Sequence, residues 1–198
     1  MLNNENPTYS LIIPRFEDFF HSYYSCEIIK GIGLTASRLN VDVLIHMTDR
    51  FNHEDWLSSR LLNPRFIDGI LFADINGDIT TLKKVIEKGM PYLVMNNAFS
   101  EPINYIAIDN KKAAQEAVQY LIRLGHKRIA TISGDLLTQA GKMRVEGYLD
   151  ALGENHIPIR EEYLTRGEFL RSPARQSAKQ LLNLKDRPTA VFVASDVM

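Results

Sequence analysis

The sequence contains little cysteine, no excess of either charge and no long apolar run, and each absence excludes a class of protein. One cysteine among 198 residues, Cys26, rules out an internal disulfide and is typical of a reducing compartment. The 23 basic and 24 acidic residues give a net charge of −1, which argues against a nucleic-acid-binding surface on this chain. No apolar run reaches about 18 residues, so we expect no membrane span.

The opening residues, MLNNENPTYS, differ from a secretory signal because they have neither a cationic start nor an apolar core. We interpret residues 1–6 as a flexible lead-in. Together with the single cysteine, this opening predicts a cytoplasmic protein.

Short β-branched runs alternate along the chain with longer segments of helical periodicity. The predicted strands are Tyr9–Ile13, Val41–His46, Gly69–Ala73, Tyr92–Met95, Tyr105–Ile108, Arg128–Ile132, Tyr163–Thr165 and Ala190–Ala194. Several are apolar at nearly every position, which is typical of parallel strands covered on both faces. The predicted helices run from about Phe19 to Leu39, from Asp78 to Gly89, from Asn110 to Gly125 and onward from Ser172-Pro173. Asp78 and Ser172 are the predicted N-caps of their helices, and Pro173 is expected in the first turn after Ser172. This order predicts an α/β fold of parallel sheets flanked by helices.

The alternation is interrupted after Met95, where the polar segment NNAFSEPINY contains no helix. Two parallel strands of one sheet normally need a longer crossover. We therefore expect the chain to leave one α/β lobe here and to enter a second. The predicted lobes are residues 7–97 and 105–198, with a crossover at 98–104. Two such lobes would place the carboxyl ends of their strands at a shared cleft, where ligands of open α/β sheets bind.

Five stretches of the sequence are informative when they are considered together and in chain order. In chain order they are SLIIPRFEDFF (10–20), IDGILF (67–72), AIDNKKAAQEAVQYLIRLGHKRIATISGD (107–135), RVEGYLDAL (144–152) and RPTAVFVASDVM (187–198). The series resembles the effector-binding core of the LacI/GalR family of bacterial transcription regulators, which is related to periplasmic sugar-binding proteins. The resemblance implies a two-lobed, periplasmic-binding-protein-like fold with an incomplete second lobe. It further implies a chain that lacks the DNA-binding head and is truncated at its C-terminus.

The resemblance places the family's ligand-clamping arginine at Arg144, four residues before Tyr148. A guanidinium group is a planar fork that suits vicinal hydroxyls or a carboxylate; the alternative is a solvated helix arginine. At Asn96 relatives often have an aspartate or asparagine that faces the cleft. An amide there can both donate to and accept from a sugar hydroxyl, and the alternative is a turn-forming asparagine.

Phe20 of the first lobe and Phe169 of the second match aromatic residues that line the cleft in relatives. Aromatic faces stack on a sugar ring or a base, and core packing is the alternative for each. Ser195 stands where asparagine is common and is expected to form a hydrogen bond with the ligand. Asp196 either accepts from a ligand hydroxyl or caps the next helix.

Arg15 differs from the small or acidic residue that relatives commonly have after the first strand. A cation at the mouth of the cleft would favour a phosphorylated or acidic ligand over a neutral sugar. The alternative is an ion pair with Glu17 or Asp18. Cys26 lies in the middle of a predicted helix, and we expect it to be a packed core thiol.

These features predict the effector-sensing domain of a LacI/GalR-type regulator, which binds a sugar or sugar phosphate in the cleft and thereby modulates operator binding. The expected partners are a second copy of the chain, as a homodimer, and operator DNA only through a helix-turn-helix that this chain lacks. The alternative is a periplasmic or lipoprotein sugar receptor of an uptake system. We find no nucleophile elbow, no acid–base pair and no metal-ligand spacing, so the sequence predicts no enzyme, no cofactor and no metal.

Overall fold

The structure is a computed structural model that describes residues 6–14, 23–48, 62–73, 75 and 79–198. Its strands are β1 (Thr8–Pro14), β2 (Asp42–Thr48), β3 (Gly69–Ala73), β4 (Tyr92–Met95), β5 (Tyr105–Ile106), β6 (Ile129–Ser133), β7 (Leu164–Arg166) and β8 (Ala190–Val193). Its α-helices are α1 (Tyr23–Leu39), α2 (Ile79–Ile86), α3 (Asn110–Arg123), α4 (Gln139–Glu154) and α5 (Arg171–Asn183), and a short 3₁₀ helix is formed by Glu161–Tyr163. The predicted alternation is confirmed in these ranges, with strand ends that shift by no more than two residues.

The first sheet is parallel throughout and has the order β2-β1-β3-β4-β5. Its interior strand β1 is buried on both faces, because Ile12 packs in one apolar cluster while Leu11 and Ile13 pack in another. Helix α2 contributes to the first of these clusters and α1 packs against the second. This burial on both faces explains why the strand is apolar at nearly every position.

Strand β5 lies at the edge of the first sheet, where Tyr105 and Ile106 pair in parallel with the last two residues of β4. The expectation that this strand opens the second lobe at residue 105 is therefore wrong. The backbone N–H of Asn96 donates to the carbonyl oxygen of Ile106 at 2.8 Å, which ties the connector to the strand that follows it. An irregular connector thus returns the chain to the same sheet without a helix, and the pairing of β5 with β4 spans two residues.

The chain divides into two compact units, the first ending at Ile108 and the second running from Asp109 to Met198. In the second unit, the order β7-β6-β8 forms a parallel three-stranded sheet. Helices α3 and α4 cover the face that carries Ile129, and α5 covers the face that carries Ile132. Each sheet is flanked by helices, and the predicted α/β fold is confirmed.

Helix α3 begins at Asn110, as the sequence predicts, but α5 begins before its predicted cap. Asp109 caps α3, because its Oδ1 accepts from the N–H of Lys112 at 2.9 Å. Helix α5 begins directly after Leu170 and has no side-chain cap, so the predicted cap at Ser172 is wrong. The N–H of Leu170 donates to the carbonyl oxygen of Gly167 at 2.8 Å, and this turn starts the helix before Ser172 is reached.

Helix α1 is shallowly embedded, since Ser25 and Ala36 are its buried residues. Cys26 is exposed, and the expectation of a packed core thiol is wrong, because the residue lies on the outer side of the helix. The predicted cap Asp78 lies outside the described residues. Within those residues, we find no helix with the length and hydropathy needed to cross a membrane.

Candidate functional site

The strands of the second unit end together at one edge of their sheet, because they run parallel. Ser133 at the end of β6 lies in register with Arg166 at the end of β7, and β8 ends on the other side of β6. The loops after these strands are thereby neighbours, and they carry three of the predicted residues, Phe169, Ser195 and Asp196. Open parallel sheets bind their ligands at this edge.

Arg144 projects from α4 into this group of loops and is half-buried. Its Nε donates to Oδ1 of Asn110 at 2.8 Å, and its Nη1 donates to the carbonyl oxygen of Ala194 at 2.5 Å. Its Cζ lies 5.8 Å from the centroid of the Phe169 ring, within the range of a cation–π contact. The guanidinium group is thus fixed by three separate elements rather than extended into solvent.

The Phe169 ring lies directly on Gly134. A Cβ atom at Gly134 would be 2.0 Å from Cζ of that ring, so no larger residue fits there with the ring in place. The loop that carries the ring is held against β6, because the N–H groups of Gly167 and Glu168 both donate to the carbonyl oxygen of Ser133, at 2.7 and 3.2 Å. Glu168 and Phe169 have φ values of 56° and 61°, a left-handed conformation that costs about 1–3 kcal/mol for each such residue. Strain of this kind concentrates at functional sites.

Ser195 and Asp196 follow Ala194, the buried residue whose carbonyl oxygen accepts from the arginine. The side-chain oxygen of Ser195 accepts a long hydrogen bond, 3.5 Å, from the N–H of Val197. Asp196 is exposed. Their predicted ligand contacts stay predictions, although the loop brings both residues next to an anchor of Arg144.

In the first unit, Asn96 immediately follows β4 and has a φ of 67°. Asparagine tolerates this left-handed conformation better than most residues. The next residue, Asn97, is 4% exposed, and its Oδ1 has no hydrogen-bond partner among the described residues. The turn interpretation of Asn96 therefore fits its backbone, and Asn97 carries a buried polar atom that no described residue satisfies.

Ser133 presents a similar buried oxygen in the second unit. The residue is 3% exposed, and its Oγ has no hydrogen-bond partner within the described part of the chain. Side chains alternate along a strand, so Ser133 lies on the same face of β6 as Ile129, the face that α3 and α4 cover. A ligand or a water molecule can satisfy such an oxygen.

The structure brings Arg144 and Phe169 into contact, and Ser195 and Asp196 directly follow Ala194, whose carbonyl oxygen accepts from Arg144. Asn96 belongs to the other unit. Arg15 and Phe20 lie outside the described residues. Among the residues that are described, no group of histidine, cysteine, aspartate and glutamate side chains could hold a metal ion.

A sequence-family model described as periplasmic binding proteins and sugar binding domain of the LacI family matches residues 6–198. The chain belongs to this family. Its match covers both compact units, from β1 to the residues after β8. The LacI-family resemblance of the sequence is therefore confirmed.

Curated relatives of this LacI-family chain are transcription regulators. The HTH-type transcriptional repressor CytR of Escherichia coli K12 is 36% identical over 199 residues, which cover 98% of this chain and 56% of CytR. Catabolite control protein A of Priestia megaterium is 30% identical over 204 residues, covering 100% of this chain and 59% of that protein. The chain spans a little more than half the length of the curated relatives it matches.

Solved structures of the family have the same fold. A transcriptional regulator CelR–cellobiose complex superposes with a TM-score of 0.82 at 27% identity, over 97% of this chain and 61% of that one. A LacI family transcriptional regulator from Mycobacterium smegmatis gives a TM-score of 0.73 at 26% identity, over 93% of this chain and 67% of that one. Both agree with the two-unit α/β architecture described above.

Sequence reasoning missed four residues that lie at or contact the residues described above: Asn97 in the first unit, and Asn110, Ser133 and Gly134 in the second. The second asparagine of the NN pair was a visible signal for Asn97. Gly134 directly follows a buried strand, a place where glycine commonly marks a close approach. The sequence marks Asn110 only as the first residue of a helix, and nothing local to it predicts a contact with α4.

Proposed function

We propose that this LacI-family domain binds a small polyhydroxylated ligand, a sugar or a sugar derivative, and that this binding modulates operator recognition by the regulator of which it forms part. The observation that carries the proposal is the match of residues 6–198 to the sugar binding domain of the LacI family. The regulatory role is supported by CytR and catabolite control protein A, which are both named as regulators.

The strand ends of the second unit have the chemistry that such a ligand requires. Arg144 supplies a planar donor, and Phe169 supplies an aromatic face beside it. Hydroxyl groups of a sugar accept from a guanidinium group, while the C–H face of the ring packs on an aromatic side chain. The complex of CelR with cellobiose shows that a regulator of this fold takes a sugar.

The ligand acts by shifting an equilibrium between two conformations of the regulator. It can do so only by the difference between its affinities for them, and coupling energies of this kind are typically about 1–3 kcal/mol. We further propose a homodimer, because operator half-sites are related by two-fold symmetry. A regulator that acts on DNA works in the cytoplasm, and we propose that location for this protein. The named relatives are transcription regulators, and they favour a regulatory role over that of an uptake receptor or an enzyme.

The remaining predicted contacts are part of the same proposal. Asn96, Phe20, Ser195 and Asp196 are proposed to contact the ligand, and Arg15 is proposed to favour a phosphorylated or acidic one. A positive charge beside the site would attract an anionic ligand more strongly than its neutral parent.

The proposal is tested by thermal unfolding of the protein with a panel of neutral sugars, including cellobiose, and the phosphate of each sugar. At least one compound should raise the melting temperature, since a ligand at 100 times its Kd stabilises the folded state by about 2.7 kcal/mol. Preference for a phosphate over its parent sugar would support the proposed role of Arg15, and equal affinities would contradict it.

The matched variant is Arg144→Ala, which should lose the response to the binding compound. Because this substitution also removes the arginine that donates to the buried amide of Asn110, its ligand-free melting temperature should fall, and its lack of binding is therefore measured by calorimetric titration well below that temperature. A panel without any response, confirmed by calorimetric titration, would refute the proposed function.

A further inference from the structure

We propose that Asn110 is a positioning residue that orients the guanidinium group of Arg144 toward the ligand. The inference rests on the proposed function, because it concerns the same site. It starts from one contact: Oδ1 of Asn110 accepts from Nε of Arg144 at 2.8 Å. The two residues lie 34 positions apart, on different helices, so the contact is a product of the tertiary fold.

The bond sets the plane of the guanidinium group. Nη1 of Arg144 donates to the carbonyl oxygen of Ala194 at 2.5 Å, and Nε donates to Asn110 on the adjoining edge. A planar group that is held at two of its nitrogens cannot tilt or turn as a whole without breaking one of the two hydrogen bonds. Cζ of the same group lies over the Phe169 ring, 5.8 Å from the ring centroid.

The alternative, that the Asn110 side chain serves only to begin α3, is disfavoured by the cap. Asp109 is the N-cap, and its side chain already accepts from the N–H of Lys112 at 2.9 Å. Asn110 lies inside the helix and is 3% exposed. A buried amide that faces an arginine is expensive to leave unpaired, so the pair is specified by the fold.

Removal of the amide has a defined consequence. In Asn110→Ala the Nε of Arg144 loses this acceptor, so the guanidinium group is held less firmly in its plane. Affinity for a ligand that Arg144 contacts should fall about tenfold, because part of the binding energy is then spent on ordering the side chain. Asn110→Asp keeps an acceptor at the same distance from the helix and should restore the orientation.

The deciding experiment is nitrogen-15 NMR of the arginine Nε–H groups in the whole chain, without ligand. The Arg144 signal is assigned by its loss in Arg144→Lys. In the wild-type protein its exchange with water should be slow, in Asn110→Ala at least tenfold faster, and in Asn110→Asp close to wild type. Asn183→Ala, which removes an exposed amide at the end of α5, is the matched control and should leave the signal unchanged.

Unchanged exchange in Asn110→Ala would overturn the inference, and this readout decides it whether or not any sugar binds. Calorimetry with cellobiose and the panel sugars separates the two levels of the proposal. If Arg144→Ala loses binding while Asn110→Ala retains full affinity, the inference is wrong and the proposed function stands. If Arg144→Ala retains full affinity, the proposed role of the site is wrong, even where exchange shows that Asn110 orients the arginine.

Discussion

At the scale of single residues, the site depends on small side chains as much as on charged ones. Arg144 and Phe169 were found from the sequence because each matches a family position, and the structure brings them into contact. Gly134 and Asn110 were not found, because their roles come from contacts with residues far along the chain. Cys26 was misplaced for the same reason, since the depth of α1 in the first unit is a tertiary property.

Gly134→Ala should displace the Phe169 ring, since the new Cβ would lie 2.0 Å from its Cζ. The φ of Gly134 is not in the left-handed region, so alanine brings a steric conflict without backbone strain. We expect ligand affinity to fall at least tenfold, as measured by calorimetric titration with the binding sugar of the panel. In a Phe169→Ala background the same substitution should cost little more, and additive losses would show that Gly134 acts independently of the ring.

At the scale of elements, the positions of the strands are predicted well from the sequence, but the elements that each one packs against or pairs with are predicted less well. A strand such as β1, buried on both faces, is apolar along its whole length and is visible in the sequence. The sheet to which β5 belongs was not visible, because a two-residue pairing leaves no periodic pattern. The packing of α4 on α3 was likewise hidden, although it depends on one glycine, Gly147.

Gly147→Ala should destabilise the second unit by about 1–3 kcal/mol, because its Cβ would lie 2.1 Å from the carbonyl oxygen of Lys111 on α3. The control is Gly153→Ala in the same helix, where a Cβ has nothing within 4 Å. That substitution should stabilise by about 0.5–1 kcal/mol through helix propensity. Urea unfolding of both variants checks the pair, and equal effects would contradict the close approach of α3 and α4.

At the scale of the whole molecule, stability depends on a buried tyrosine whose hydroxyl loses its proton only in strong base. Tyr148 is 0% exposed, and its hydroxyl donates to the carbonyl oxygen of Ile129 at 2.8 Å. Burial, with a smaller contribution from Tyr163, raises the pKa of Tyr148 from 10.0 to about 12. The folded chain therefore keeps a proton that the unfolded chain loses between those two values.

The contribution of Tyr148 to stability should be complete below pH 10 and should decline as the pH rises toward 12. The full loss is on the order of 2–3 kcal/mol, at about 1.4 kcal/mol for each pKa unit. Tyr148→Phe should be less stable at pH 8 by about 1 kcal/mol, through its lost hydrogen bond, but should lack this decline. Urea midpoints of both proteins at pH 8 to 11.5 test this, and parallel curves would refute it.

The placement of β5 also tells an experimenter where the chain can be cut. A fragment that ends at residue 97 would retain β4 but discard the two residues that cover its outer edge. Its bare backbone N–H and C=O groups would invite pairing between fragments. A fragment that ends at Ile108 keeps the sheet intact. Light scattering should find the shorter fragment aggregated and the longer one dispersed. The practical cleavage site therefore lies eleven residues beyond residue 97, the boundary that the helix-free segment after Met95 predicts.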